Sequence, residues 1–367
     1  MQGDDTIDPR LRRPRRGALS NRAGRYEKGE RLFEDDGWVG AQEDPLLRTE
    51  VTIERPRSII SYNSSPDLAF DRSINPYRGC EHGCIYCFAR PSHAWLGLSA
   101  GLDFETRLIA RPEAAQVLEA ELRKPGYTPA MLAIGTNTDA YQPIEKTHGI
   151  MRECLTVLQR FNHPVGIVTK GTLVERDIDI LGDMAALGLS RVGISLTTLD
   201  PDLSRRMEPR APSPRRRLQS IERLAQAGIP VRVLTSPLIP GLTDHELETM
   251  LAAARDAGAQ AASWVMLRLP REVSDLFQDW LAQHYPDRAA RVMGLIRDMH
   301  DGKAYSSDWH KRMRGEGHYA QFISARFRRA TRALGLDMQL PELRTDLFTR
   351  PARKGDQLTL FPDASSG

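Results

Sequence analysis

The sequence predicts an α/β protein: an open, six-stranded (β/α)6 partial TIM barrel followed by a helical C-terminal extension. Three observations carry this. Short apolar runs begin near residues 131, 165, 192, 231 and 262, at intervals of 34, 27, 39 and 31 residues, which is the period of strand–helix–strand units in a parallel sheet. Amphipathic stripes fill the intervals. With a further run at Ser73–Tyr77 the strand candidates number six, fewer than the eight that close a barrel.

The strands are expected at Ser73–Tyr77, Met131–Ile134, Val165–Thr169, Val192–Leu196, Val231–Leu234 and Trp264–Leu267. The helices between them show as stripes: Met151, Cys154, Leu158 and Phe161; then Val174, Ile178, Leu181, Met184 and Leu187; then Leu218, Ile221 and Leu224; then Leu247, Leu251 and Ala254. Gly188, Gly228 and Gly258 each close a stripe, where a left-handed C-cap is wanted. Thr243 and Glu246 have the spacing of a capping box. Beyond Pro270 the pattern turns helical, with Ile323, Phe327, Ala330 and Leu334 on one stripe.

The 367 residues include 51 Lys and Arg against 48 Asp and Glu, a net charge of +3. Apolar residues make up 40%, which leaves room for a full core. The longest uncharged stretch, Pro125–Thr138, is broken by prolines and glycines and falls short of the 18 apolar residues a membrane span needs. The first residues are polar with no apolar run behind them, so a cytoplasmic protein without a signal peptide is expected. The chain divides into a poorly ordered basic arm (1–50, with Arg10, Arg12, Arg13, Arg15 and Arg16), the barrel (51–268), the helical extension (269–348) and a disordered tail (349–367).

Four cysteines are too few for a disulfide scaffold, but Cys80, Cys84 and Cys87 fall within eight residues. Gly79 and Gly83 argue for a loop there, and a loop can wrap its thiols around one centre. Three thiolates suit a [4Fe–4S] cluster with one iron left open for a small ligand, since a structural cluster takes four. The alternative is zinc completed by His82 or His93, without the second ligand pair that zinc sites usually have.

The segment Asn75-Pro-Tyr-Arg-Gly-Cys80-Glu-His-Gly-Cys84-Ile-Tyr-Cys87, at the end of the first strand, resembles the radical S-adenosylmethionine superfamily. With Thr136-Asn-Thr-Asp139, Thr169-Lys170 and Ile194-Ser195 it resembles the branch that contains spore photoproduct lyase. The resemblance covers about Ser73 to Leu267. It implies a [4Fe–4S] cluster on Cys80, Cys84 and Cys87, and S-adenosylmethionine chelating the open iron. It further implies that an external electron donor drives cleavage of the sulfonium to a 5′-deoxyadenosyl radical. By the same resemblance Tyr86 lies against the adenine, and Gly135, Thr138 and Asp139 hold the methionine amine. Lys170 and Ser195 lie near the carboxylate and ribose, and Ile239 in the turn Ile239-Pro240-Gly241 borders the adenine. These positions also make chemical sense, since ligand groups of βα barrels gather at strand C-termini and Lys170 offers a compact cation. One departure stands out: where the lyase has a hydrogen-returning cysteine, this chain has Asn137, and its spare thiol, Cys154, lies on an apolar helix stripe.

Arg205, Arg206, Arg210, Arg215, Arg216 and Arg217, opposed by Glu208, are expected to overhang the barrel mouth and grip a phosphate backbone. Lys311, Arg312 and Arg314, flanked by Trp309 and Tyr319, form a weaker cluster. Gln357-Leu-Thr-Leu-Phe361 resembles the short motif by which bacterial replication and repair proteins bind the sliding clamp. The expectation is thus a radical enzyme of nucleic-acid repair or modification. A peptide or small-molecule substrate, or a non-catalytic metal module that binds nucleic acid, are the alternatives.

Overall fold

The computed structural model describes residues 15–30 and 46–352. Ten strands are present among these residues: β1 (Glu50–Ile53), β2 (Ile60–Tyr62), β3 (Arg72–Ile74), β4 (Tyr77–Arg78), β5 (Arg107–Ala110), β6 (Leu132–Ile134), β7 (Val165–Thr169), β8 (Ser190–Ser195), β9 (Val231–Leu238) and β10 (Ala261–Met266). The main sheet has the order β10-β9-β8-β7-β6-β3-β2. Every pairing from β3 to β10 is parallel, and β2 adds an antiparallel edge on β3. The six expected strands are therefore the six parallel ones, and the sheet stays open, with β10 and β2 at its two edges. A small second sheet, β1-β5-β4, lies beside the first strand.

The main helices are α1 (Ala114–Leu122), α2 (Ile150–Arg160), α3 (Ile178–Ala186), α4 (Pro201–Met207), α5 (Pro214–Gln226), α6 (Leu247–Asp256), α7 (Glu272–His284), α8 (Pro286–Asp298) and α9 (Gly317–Leu334). In-register Ile134, Ile167, Val192 and Val231 run across the parallel strands and share one core with Cys154 and Leu158 of α2, Leu181 of α3, Ile221 of α5 and Leu251 of α6. Fully burying each such side chain is worth about 1.5–3 kcal/mol, so this layer dominates the fold's stability. Gly188, Gly228 and Gly258 all stand at positive φ, as the C-cap reading requires.

Thr243 and Glu246 do not form a capping box. Thr243 Oγ1 accepts from Ile239 N (2.9 Å), while the Glu246 carboxylate accepts from Thr198 Oγ1 and Leu199 N just past β8 (2.7 and 2.6 Å). The pair ties two strand ends together, and α6 starts instead from a short 3-10 turn.

Within residues 15–30 the stretch Gly17–Ser20 is held against the barrel. Gly17 N and Ala18 N donate to the buried Glu105 carboxylate (2.9 and 2.8 Å), and Ala18 and Ser20 are buried. The extension is helical as expected. Helices α7 and α8 pack Phe277, Trp280, Val292 and Ile296 into a second core that also holds Cys84, Ile85 and Tyr86. Helix α9 places Ile323 and Phe327 in the main core. Residues 349–352 are attached to the barrel: Thr349 N donates to Phe161 O (3.0 Å), and Arg350 to the carbonyl of Leu122 (3.2 Å). No helix among the described residues is long and apolar enough to cross a membrane.

Candidate active site

Directly after β4, the cysteine loop replaces any helix. Gly79 and Gly83 take φ of 75° and 67°, a conformation that the Cβ of other residues disfavours. The loop is held from behind. Fully buried Arg90 donates to the carbonyls of Cys84 (2.9 Å), Ala100 and Gly101 (3.0 Å each) and pairs with Glu105 (2.5 Å). Glu105 in turn clamps residues 17 and 18, so the N-terminal segment supports the cysteine loop through one buried carboxylate. On the other side Tyr86 donates its hydroxyl to Glu208, which also accepts from Thr197 (2.9 Å) and the buried Arg217. Gln142 secures the front by donating to Gly79 O (3.1 Å) and accepting from Glu81 N (2.8 Å).

The loop faces a cavity of about 550 Å³ at the C-terminal ends of the parallel strands. Cys80, Cys84, Cys87, Tyr86, Gly135, Thr138, Asp139, Lys170 and Ser195 all line it, so nine predicted site residues converge on one space. Gly135 is required there, since a Cβ would lie 2.0 Å from Val168 O on the neighbouring strand. Thr138 Oγ1 donates to Tyr77 O (2.9 Å). Asp139 accepts from Thr169 Oγ1 (2.6 Å), Lys170 N (2.7 Å) and Tyr141 N (2.9 Å), and His82 Nδ1 lies 3.3 Å away. Burial works against ionisation of Asp139, but His82 and these donors outweigh it and hold its carboxyl well below the usual range. Asp139 thus locks the cysteine loop, β6 and β7 together, and its oxygens are already occupied. Lys170 sets its ammonium 5.7 Å from the Tyr86 ring.

Two predicted groups lie elsewhere. Ile239 is fully buried in the second core behind Tyr86 and does not line the cavity; Ser236 and Pro237 do. The six arginines are not one open patch: Arg205, Arg206 and Arg215 are exposed, while Arg210, Arg216 and Arg217 are drawn back toward the protein. They sit on α4, α5 and their connection, and most are engaged within the protein. Arg205 pairs with Asp202 (3.0 Å), Arg210 with Glu81 (2.9 Å), Arg216 with Glu175 (3.5 Å) and Arg217 with Glu208, while Arg206 lies over the Tyr285 ring (5.5 Å) and Arg215 is exposed. Arg312 of the weaker basic cluster also lines the cavity and Glu208 braces it, whereas Phe88, Ser236 and Arg268 in the lining, and Arg90 and Glu105 behind it, are not marked by the sequence pattern. The nearest thing to a signal among these is the position of Arg90, three residues past the last cysteine.

The donor set fits an iron–sulfur cluster. Cys80 and Cys84 are under 10% exposed and Cys87 half-buried, and all are free thiols. Burial, Asp139 and the neighbouring thiols push the Cys80 thiol up. Burial also raises Cys84, opposed by Lys170. Thiols so arranged are costly as bare thiolates and are relieved by a bound cationic centre. Of the two histidines that could complete a zinc site, His82 has Nδ1 3.3 Å from Asp139 and His93 has Nε2 3.0 Å from the Arg107 carbonyl.

Parallel strands, an open barrel and a three-thiol loop at the strand ends define a radical S-adenosylmethionine protein. The model of the Radical SAM superfamily matches residues 74–254, and the chain belongs to that superfamily. Uncharacterised proteins of Mycobacterium bovis and Mycobacterium tuberculosis are 37% identical over 232 residues, covering 63% of this chain and 68% of theirs. An uncharacterised Methanocaldococcus jannaschii protein is 26% identical over 215 residues, covering 58% and 76%. In structure the chain is similar to spore photoproduct lyase, with a TM-score of 0.52 at 14% identity over 77% of this chain and 79% of that one. That likeness establishes the shared fold. One of the lyase structures has AdoMet and a dinucleoside spore photoproduct bound. Membership implies an iron–sulfur cluster and S-adenosylmethionine as cofactors.

Proposed function

We propose that the protein cleaves S-adenosylmethionine reductively and directs the resulting radical at a nucleic acid, in repair or modification. The observation that carries the chemistry is the convergence of the three thiols with Gly135–Asp139, Lys170 and Ser195 on one cavity. When bound, a [4Fe–4S] cluster would supply the electron that splits the sulfonium and frees a 5′-deoxyadenosyl radical. The chain's own residues bind and orient. Cys80, Cys84 and Cys87 would hold the cluster, three ligands for four irons. Gly135 lets the backbone of residues 135–139 approach the methionine amine, with Asp139 as a positioning residue. Lys170 faces the carboxylate, Ser195 the ribose, and Tyr86 the adenine. No thiol besides the three loop cysteines lines the cavity, because Cys154 is fully buried in the main core and Asn137 occupies the rim. A hydrogen returned from a cysteine at that rim is therefore not part of this reading.

The nucleic-acid assignment draws on the fold shared with the lyase and on cations in the cavity that have no carboxylate partner. Reduced, reconstituted enzyme incubated with ultraviolet-irradiated DNA, intact DNA and RNA should yield an altered nucleoside in one of them, detected by mass spectrometry after digestion. Turnover of a peptide or small molecule, with all three nucleic acids unchanged, would replace this substrate class. Gln357–Phe361 lies outside the described residues. As a proposed sliding-clamp ligand, a peptide spanning Lys354–Gly367 should bind the clamp in the micromolar range, about −8 kcal/mol. The same peptide with Leu360 and Phe361 changed to Ala should bind at least tenfold more weakly; equal binding, or none by either, rejects this partner.

A further inference from the structure

Four permanently charged or carboxylate side chains line the cavity: Asp139, Lys170, Arg268 and Arg312. Asp139 is bound by His82 and Arg312 by Asp67. Among the described residues neither Lys170 nor Arg268 has a carboxylate within ion-pair distance, so two cations of the cavity lack a carboxylate contact. One anion, the methionine carboxylate facing Lys170, leaves Arg268 over.

Arg268 lies just beyond β10. Its guanidinium lies over the Phe88 ring at 4.7 Å. Its terminal nitrogens reach only the Met313 sulfur (3.7 Å) and the Tyr305 hydroxyl (3.5 Å), both long contacts, and its Nε is buried with no partner. A buried guanidinium N–H without an acceptor is a cost the fold bears unless a ligand meets it. Water can satisfy an N–H but cannot neutralise the charge. On the adjacent strand the Ser236 hydroxyl, also buried and unpartnered, lines the same cavity. Two unsatisfied donors, one of them a rigid cationic fork, define an anion site.

The surroundings narrow the anion. Phe88 lines the cavity and remains 41% exposed, so flat apolar surface stands beside the guanidinium. A phosphate joined to a heteroaromatic base matches that pairing better than an isolated carboxylate does. We propose that Arg268, stacked on Phe88 and assisted by Ser236, anchors a phosphodiester of the substrate. This rests on the nucleic-acid reading above and assigns the contact to one residue.

The test is calorimetric titration of the full chain, loaded with its cluster and S-adenosylmethionine and left unreduced so that nothing turns over. The probes are the dinucleoside monophosphate d(ApA) and its neutral methylphosphonate analogue. The wild type should prefer the charged dinucleotide at least tenfold, and Arg268→Gln should shrink the preference below twofold. Should that variant fail to fold, Arg268→Lys keeps the charge without the fork and should lower the preference at least threefold. Equal binding of both probes by the wild type, or an undiminished preference in the variant that folds, overturns the assignment and leaves the nucleic-acid reading intact. No binding of either probe by the wild type overturns both.

Discussion

Six arginines within one short segment look alike in sequence, yet the structure gives them different work. Arg217 is 1% exposed and pairs with Glu208, the same carboxylate that receives the Tyr86 hydroxyl in the cysteine loop. Arg215 is exposed on α5. Charge density was legible; burial, a tertiary property, was not. Arg217→Gln leaves Glu208 buried and uncompensated, and should lower unfolding stability by about 3–5 kcal/mol. Arg215→Gln should change it by about 0.5 kcal/mol or less. Urea unfolding of the two variants distinguishes them, and equal, small effects would show that Arg217 does not brace the loop. The ligand cysteines were readable for the opposite reason: thiols crowded into one segment have few other uses. Asp139 was found as well, but its oxygens serve protein donors, which no spacing in sequence could reveal.

At the scale of elements, the six parallel strands and the main helices were visible because their apolar periodicities differ and glycines punctuate them. Strand β2 and the sheet β1-β5-β4 were missed. Their strands have two to four residues, too short to show a period, and they form only against neighbours. The link from α2 to β7 carries a pH-sensitive contact. His163 is buried, donating from Nδ1 to Pro164 O (3.0 Å) and accepting from the Tyr127 hydroxyl at Nε2 (2.7 Å), with Phe348 packed edge-on at 5.6 Å. Burial, with Arg72 nearby, pushes its pKa down to about 4 from 6.5. Above pH 6.5 the residue is neutral in both states and pH has no effect through it. As pH falls from 6.5 toward 4 the unfolded chain takes up a proton that the folded chain refuses, so stability drops by about 3 kcal/mol. His163→Gln should flatten that part of the stability–pH curve, and an unchanged slope between wild type and variant would contradict the assignment.

Across the whole molecule, the cysteine loop is held by parts of the chain far apart in sequence. The N-terminal segment reaches it through Glu105 and Arg90, and the extension through Phe277 and Trp280 packed with Ile85 and Tyr86. Loss of the extension's core side chains, at about 3–5 kcal/mol per large aromatic, would therefore be felt at the cofactor site. At Gly17 a Cβ would lie 1.9 Å from the Gly83 carbonyl, a backbone group between Cys80 and Cys84. Gly17→Ala should lower stability by about 1–3 kcal/mol and lower the iron retained after anaerobic reconstitution; full iron content with an unchanged melting temperature would show that the segment does not support the loop. The composition of the first residues suggested solvent because few are apolar. What anchors them is hydrogen bonding of backbone N–H groups to one distant glutamate, a contact that leaves no trace in local composition.

Three loop thiols, and no others, are proposed to hold the redox centre. The most direct measurement is iron and sulfide content together with 5′-deoxyadenosine formation after anaerobic reconstitution, reduction and addition of S-adenosylmethionine. The wild type and Cys154→Ala, whose thiol is fully buried in the main core, should each hold about four irons and four sulfides and form 5′-deoxyadenosine. Ala at Cys80, Cys84 or Cys87 should abolish its formation. Retention of a full cluster and of 5′-deoxyadenosine formation by Cys84→Ala, or loss of both in Cys154→Ala with the fold intact, would contradict the claim.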